Sequence, residues 1–348
     1  AIIGCILSLF VIFIGAVGLY PLLQFLGTPS AIVSQSYLYI ATIVNGVAVT
    51  FAYNLCAGLL RAVGDSLAAL YFLIIAAILN ILLDLYFITQ LHLGVQSAGI
   101  ATIIAQGISA LLCLLYIRKK VPFLLPHRKD FVWDKELYQD LLSQGLAMGL
   151  MTSIVSIGTV ILQSAINQLG TTIISAQVAA RRIMSFAVLP ITAIASSITT
   201  FISQNFGAEQ FQRIKKGVTI ANLLSWVWSV LVAALLFFTS PSITSFISGS
   251  TNPDLIANAS LYLQISSCFY PILASLIILR NALQGMGKKL TPLTSSFIEL
   301  FGKIFFVLWI IPHTGYMGVI LCEPLIWIPM TLQLIIIYRK IRYQLLTE

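Results

Sequence analysis

Charge is what this sequence has least of. Asp, Glu, Lys and Arg make up 9% of its 348 residues, against about 25% in a typical soluble protein. So little charge cannot cover a water-facing surface, which excludes a soluble globular enzyme. Disordered, collagen-like and coiled-coil chains go with it, because each needs a polar, glycine-periodic or charge-rich sequence. Among the five cysteines (Cys5, Cys56, Cys113, Cys268 and Cys322) there is no CxxC pair. They sit in or beside apolar runs and read as small packing residues rather than metal ligands or disulfide partners. Catalytic constellations are missing too. The three histidines, His92, His127 and His313, fall in connections, and no HExxH, Walker loop, nucleophile elbow or haem motif occurs. A membrane-embedded enzyme is therefore disfavoured, and nothing in the chain would bind ATP. Asn258-Ala259-Ser260 is a formal glycosylation sequon that reads as chance.

What is present is apolar length. Hydrophobic residues make up 59% of the chain, and mean hydropathy is +0.99. A spanning helix needs about 20 mostly apolar residues. Ten such runs are visible: 1–26, 31–60, 66–89, 96–117, 139–169, 171–205, 213–239, 255–286, 290–311 and 316–338. They lack the period-two alternation of an outer-membrane barrel, so the expected fold class is all-α, a polytopic transmembrane helical bundle. Turn residues mark the breaks: Gly27-Thr28-Pro29-Ser30, Gly207, Ser240-Pro241-Ser242, Asn252-Pro253-Asp254 and Pro312-His313-Thr314-Gly315.

The net charge of +8 would suggest nucleic acid in a soluble protein. Here the charges lie between apolar runs and report orientation instead. Alternate connections hold Arg61; Arg118, Lys119, Lys120, Arg128, Lys129 and Lys135; Arg213, Lys215 and Lys216; Lys288 and Lys289; and Arg339, Lys340 and Arg342. That is 15 of the 19 basic residues, and the other connections hold none. The basic side is then cytoplasmic, both ends lie inside, and the expected location is the plasma or inner membrane.

The chain also repeats itself. Leu60-Arg61-Ala62-Val63-Gly64-Asp65-Ser66-Leu67 aligns with Leu283-Gln284-Gly285-Met286-Gly287-Lys288-Lys289-Leu290. Pro21 aligns with Pro241, Tyr37-Leu38-Tyr39-Ile40 with Tyr262-Leu263-Gln264-Ile265, and Arg118-Lys119 with Arg339-Lys340. The four anchors keep their order at a nearly constant offset and the same orientation, the pattern of a parallel duplication into two lobes. The expected lobes are 1–118 and 139–348, joined by a basic cytoplasmic linker, 119–138. Runs 139–169 and 171–205 have no partners in the first lobe, and the chain opens inside an apolar run without an initiator Met. The expectation is that two N-terminal helices are absent, ten remaining of twelve.

Further strings resemble those of the multidrug and toxic compound extrusion (MATE) transporters. They are Leu60–Ser66, Asn80-Ile81-Leu82-Leu83-Asp84, Gly94 with Ala98-Gly99-Ile100-Ala101-Thr102, Gln204-Asn205-Phe206-Gly207-Ala208, Arg280-Asn281-Ala282-Leu283-Gln284-Gly285-Met286-Gly287 and Glu299-Leu300-Phe301-Gly302-Lys303. The resemblance implies twelve helices in two pseudo-twofold-related lobes. It also implies antiport in which a lipophilic, often cationic, compound leaves as Na⁺ or H⁺ enters. Small-molecule drugs are then the cargo and the bilayer the surroundings. The protein is expected to be monomeric and to need no nucleic acid and no cofactor beyond the coupling ion.

Acids inside a bilayer are expensive and usually face a cavity. Asp84 lies four residues after Asn80, on one helix face, and Thr102 is on the next helix. Carboxylate, amide and hydroxyl oxygens form a hard set suited to Na⁺ or to a proton-exchanging carboxyl. The competing reading of Asp84 is a hydrated interfacial residue. The resemblance assigns Asn80, Asp84 and Thr102 to a cation site whose further acid lies on a helix this chain lacks. Asn54 either lines the same cavity or is a packing amide. Glu299 and Lys303 are spaced i, i+4 for an ion pair, serving either as a helix lock or as a second proton or cation site. Glu323, before Pro324, faces that cavity or the outer interface. Arg181 and Arg182 either snorkel outward or neutralise Glu299 or Glu323. Arg61 and Asp65 read as a gate-side pair, and Gly145 and Gly149 as a GxxxG packing motif. Some relatives carry acids inside the seventh and tenth helices, whereas here Asp140 and Asp254 are both terminal. The rival function is a lipid-linked oligosaccharide flippase, which would line its cavity with several Arg and Lys residues. Only Arg181 and Arg182 stand out for that role.

Overall fold

The computed structural model describes residues 2–25, 30–127 and 134–347, with backbone alone at 25, 30–32 and 342–347. Gly27, Thr28 and Pro29 and linker residues 128–133 fall outside them. Among the described residues there is no strand. Eight helices are long and apolar enough to cross a membrane, and two bent helix pairs raise the number to ten when each pair is one span. The chain divides into two compact units, Ala1–Tyr138 and Gln139–Glu348.

Unit 1 contains α1 (Ile2–Phe25), α2 (Ser30–Asn45), α3 (Val47–Ala62), α4 (Ser66–Thr89) and α5 (Gln96–Lys120). Helix α5 packs against α2, α3 and α4. Its buried stripe recurs every fourth residue: Ser97, Ala101, Ala105, Ser109, Cys113 and Ile117. Small side chains at that spacing let neighbouring backbones approach, which is how helices associate where lipid gives no hydrophobic drive. The expected helix 31–60 is bent by 45° at Gly46, whose missing Cβ leaves room for Ile103 of α5.

Unit 2 contains α6 (Lys135–Asn167), α7 (Thr171–Gly207), α8 (Phe211–Ser248), α9 (Pro253–Cys268), α10 (Tyr270–Gly285), α11 (Leu290–Phe305), a π-helical segment (Phe306–Ile310), α12 (Ile311–Thr314) and α13 (Tyr316–Thr347). Its core gathers side chains from α6 to α10 and from α13, Tyr262 and Tyr270 being the largest fully buried. Large apolar groups also point outward, Phe238 at 80% and Phe246 at 86% exposure, as a lipid-facing surface requires.

Unit 2 repeats the order of unit 1 after two leading helices. Its expected helix 255–286 is also bent, by 58°, between Pro253–Cys268 and Tyr270–Gly285. Pro271 opens the second half; lacking an N–H, it cannot extend the first. Both bent pairs end in one turn. In unit 1, Val63 N–H donates to Leu59 O (3.2 Å) and Asp65 N–H to Leu60 O (2.9 Å) around Gly64 at φ +90°. In unit 2, Met286 N–H donates to Ala282 O (3.1 Å) and Lys288 N–H to Leu283 O (2.9 Å) around Gly287 at φ +74°. Positive φ is cheap only for glycine, so Gly64 and Gly287 fix the turn in both.

Three expectations need correction. The helix expected to stop at 239 continues through Ser240-Pro241-Ser242 to Ser248. Pro241 frees the carbonyl of Phe237, and Gln264 Nε2 of α9 donates to that oxygen at 3.1 Å, so the neighbouring helix supplies the lost bond. A Cβ added at Gly145 or Gly149 would meet nothing within 4 Å, so among the described residues the expected close helix contact at these glycines is not seen. Arg61 and Asp65 do not share a helix face, because the Gly64 turn parts them; Asp65 instead caps α4 through Ala68 N–H (3.1 Å) and accepts from Tyr116 Oη (2.9 Å).

A pair of substitutions tests the bond at Phe237. Gln264→Leu should lower the thermal unfolding midpoint by the equivalent of about 1 kcal/mol, and Pro241→Ala, which restores a backbone donor, should rescue it. Additive effects in that double-mutant cycle would refute the replacement of one donor by the other.

Candidate functional site

Unit 2 carries a cavity of about 530 Å³, and every ionisable group expected at the second site reaches it. Glu299 and Lys303 lie one turn apart on α11 and pair at 2.9 Å. The ammonium of Lys303, whose side chain is 2% exposed, also sits 3.3 Å from Glu323 Oε1 on α13 and 3.4 Å from Thr159 Oγ1 on α6. Arg181 Nη2 of α7 reaches the same Glu323 oxygen at 3.2 Å, and Tyr262 Oη of α9 donates to Glu323 Oε2 at 3.3 Å. One carboxylate thus gathers α7, α9, α11 and α13.

Local sequence explains half of this. Residues i and i+4 stack on one helix face, which brings Glu299 to Lys303. The rest is tertiary: Arg181 takes the counter-ion role rather than snorkelling outward, whereas Arg182 is exposed. Arg280, in the C-terminal part of the apolar helix α10, is a site residue that the sequence reading misses. It lines the same cavity, and its Nε and Nη2 both donate to Ser295 Oγ, at 3.2 and 2.8 Å. The rule that a charge inside an apolar span marks function is the signal that finds it. Tyr262 and Thr159 carry no such signal, being ordinary helix residues.

In unit 1 the structure brings Asn80 and Thr102 together: Asn80 Nδ2 donates to Thr102 Oγ1 at 3.2 Å, and Thr102 Oγ1 donates to Ala98 O at 2.8 Å. Asp84, one turn on, is half-buried, and its Oδ1 is sealed from solvent without a hydrogen-bond partner among the described residues. Asn54 is not joined to this group: it is exposed and donates to Thr50 O at 2.9 Å on its own helix. Among the described residues no group of three or more His, Cys, Asp or Glu side chains could hold a metal ion. The unit 1 set offers one carboxylate beside amide and hydroxyl oxygens, a donor set for a hard monovalent cation or a proton.

Removing one member of a buried ion network leaves its partner charged and unpaired, which costs about 3–5 kcal/mol. Lys303→Met should therefore strongly lower the unfolding midpoint of the purified protein. Adding Glu299→Gln should recover part of the loss, since Glu323 keeps Arg181. An unchanged midpoint for Lys303→Met would show that the network does not stabilise unit 2.

Comparison with known proteins places this geometry. The chain is 29% identical over 281 residues to the probable multidrug resistance protein YpnP of Bacillus subtilis, across 80% of this chain and 62% of that protein. It is 27% identical over 252 residues to the FAD transporter of Shewanella oneidensis, across 69% of this chain and 54% of that one. The chain thus spans about three fifths of the first relative's length and about half of the second's. It also superposes on a crystal structure of MATE in the bent conformation with a TM-score of 0.91 at 19% identity, covering 99% of this chain and 77% of that one, which establishes the shared all-helical fold. The family model described as MatE matches residues 1–86 and 147–309, well over half of the sequence, and this protein accordingly belongs to the MatE family.

Proposed function

We propose that the protein is a secondary active transporter of the plasma membrane, an antiporter that exports lipophilic compounds in exchange for Na⁺ or H⁺ by alternating access. The observation that carries this reading is Asp84 Oδ1, an oxygen of a half-buried carboxylate in an apolar span, with no hydrogen-bond partner among the described residues. Acids inside an apolar span are costly and usually face a cavity or a partner. An oxygen left open in this way is a place where a coupling ion can bind, and an ion's differential affinity for two states is what it can contribute to a conformational equilibrium. Asn80 Oδ1 and Thr102 Oγ1 lie on the same pair of helices and would complete an oxygen set for Na⁺; a proton would need Asp84 alone. Family resemblance supports export of lipophilic or cationic drugs. A multi-pass topology with both ends of the chain cytoplasmic fits the distribution of basic residues, and the protein is taken to act as a monomer.

One observation favours the rival. Arg182 lies on an exposed face, but Arg280 and Lys303 join Arg181 in lining the unit 2 cavity, so the cavity holds three cations. A flippase of lipid-linked oligosaccharides would use such a set against a pyrophosphate, and the Shewanella relative is named for FAD, which also carries one.

Asp84→Asn in the native gene product should abolish dye efflux from cells lacking other efflux pumps while leaving the amount of protein in the membrane unchanged. Dye efflux at the unsubstituted rate would remove Asp84 from the coupling mechanism.

A further inference from the structure

The charges in the unit 2 cavity do not balance, and the imbalance has a sign. Three cations, Arg181, Arg280 and Lys303, face two carboxylates, Glu299 and Glu323. Both carboxylates are already engaged. Glu323 Oε1 is shared by Arg181 and Lys303, and its Oε2 accepts from Tyr262; Glu299 Oε1 is held by Lys303 at 2.9 Å. Arg280 is the cation left over. Among the described residues it makes no ion pair, and its two hydrogen bonds go to a neutral hydroxyl, Ser295 Oγ. A guanidinium has five N–H donors in a planar fork matched to an oxyanion, so Arg280 retains donors that Ser295 does not occupy. Arg181 Nε is likewise buried without a partner. Much of the remaining wall is apolar, with Leu273, Leu276, Trp327 and Met330 among its residues. A volume of about 530 Å³ falls within the roughly 300–1,000 Å³ of small-molecule sites.

A cationic guest would have to displace Lys303 or Arg181 from a carboxylate while lying beside Arg280, which has no ion pair among the described residues. An anionic guest meets neither obstacle. One charge in excess favours a guest of the opposite sign, and the more so where burial reduces screening by water. We propose that the unit 2 cavity binds a lipophilic organic oxyanion, a carboxylate, sulfonate or phosphate on an apolar body, with Arg280 as the residue that contacts the anionic group. The inference narrows the proposed transport function to a substrate class, and rests on that function only for the movement of the guest once bound.

The test compares two probes with one aromatic body and opposite charge, 1-naphthaleneacetate and 1-naphthylmethylammonium. Each is titrated by calorimetry into the purified protein in phosphatidylcholine nanodiscs. The carboxylate should bind at least about tenfold more tightly than the ammonium, and Arg280→Gln should weaken carboxylate binding about tenfold or more, with Arg280→Lys retaining part of it. Nanodiscs containing phosphatidylglycerol separate the two sources of such an anion. Competition by that lipid would identify a membrane phospholipid as the guest, and its absence a soluble compound. The proposal is overturned if the ammonium binds as tightly as the carboxylate to the unsubstituted protein, a comparison that needs no variant to fold. It is equally overturned if Arg280→Gln, with its unfolding midpoint intact, leaves carboxylate binding unchanged. The measurement uses no ion gradient and no Asp84 chemistry. Active efflux with cation-selective binding would sink this inference alone, whereas Arg280-dependent anion binding with Asp84-independent efflux would sink the coupling reading alone.

Discussion

A buried ammonium governs unit 2. Lys303 is almost wholly removed from solvent, and a lone charge at that depth would be prohibitive. Its neutralisation by Glu299 on its own helix and Glu323 on α13 ties α11 to α13. Arg181, which shares Glu323, extends the tie to α7. Because Glu323 also accepts from Tyr262, the position of one carboxylate is fixed from three directions. The network is thus both a fastener and the polar floor of the cavity. Any guest entering it meets groups that cannot rearrange without exposing an unpaired charge.

The second constraint is backbone satisfaction. In a bilayer every N–H and C=O needs a partner within the protein, and several irregular points of the helices show how the chain meets this. Phe237 O, released by Pro241, is taken by Gln264. The bends at Gly46 and Phe269 divide two spans into halves, each carrying its own hydrogen-bond ladder. The glycine turns at Gly64 and Gly287 close the carbonyl ends of both bent pairs with the same pattern of bonds. Two units that solve one problem in the same order, at positions the sequence repeat already aligns, share a design at the level of backbone hydrogen bonding as well as of side chains.

The two candidate sites differ in kind. In unit 1 the Asn80–Thr102 pair leaves Asp84 with a buried oxygen that no described residue satisfies. In unit 2 the acids are satisfied and a guanidinium is in excess. That asymmetry is what the proposed division of labour between coupling ion and cargo rests on, since groups that attract a cation and groups that attract an anion work best apart.

Some of this is legible in the residues alone. Spans follow from apolar length, the glycine turns from the repeat, and the Glu299–Lys303 pair from helical spacing, because each depends on neighbours in sequence. Pro241 reads as a stop in sequence but is not one, since whether a proline ends a helix depends here on a donor 23 residues away. Composition and local period therefore determined an all-helical membrane bundle, its ten spans and one ion pair. Only the tertiary structure decided that Arg181 and Lys303 would share Glu323, that Arg280 would be left without a carboxylate, and that Asn54 would stand aside from Asp84. Those outcomes rest on which helix faces meet, and in a chain apolar on nearly every face, pattern alone does not choose the partner.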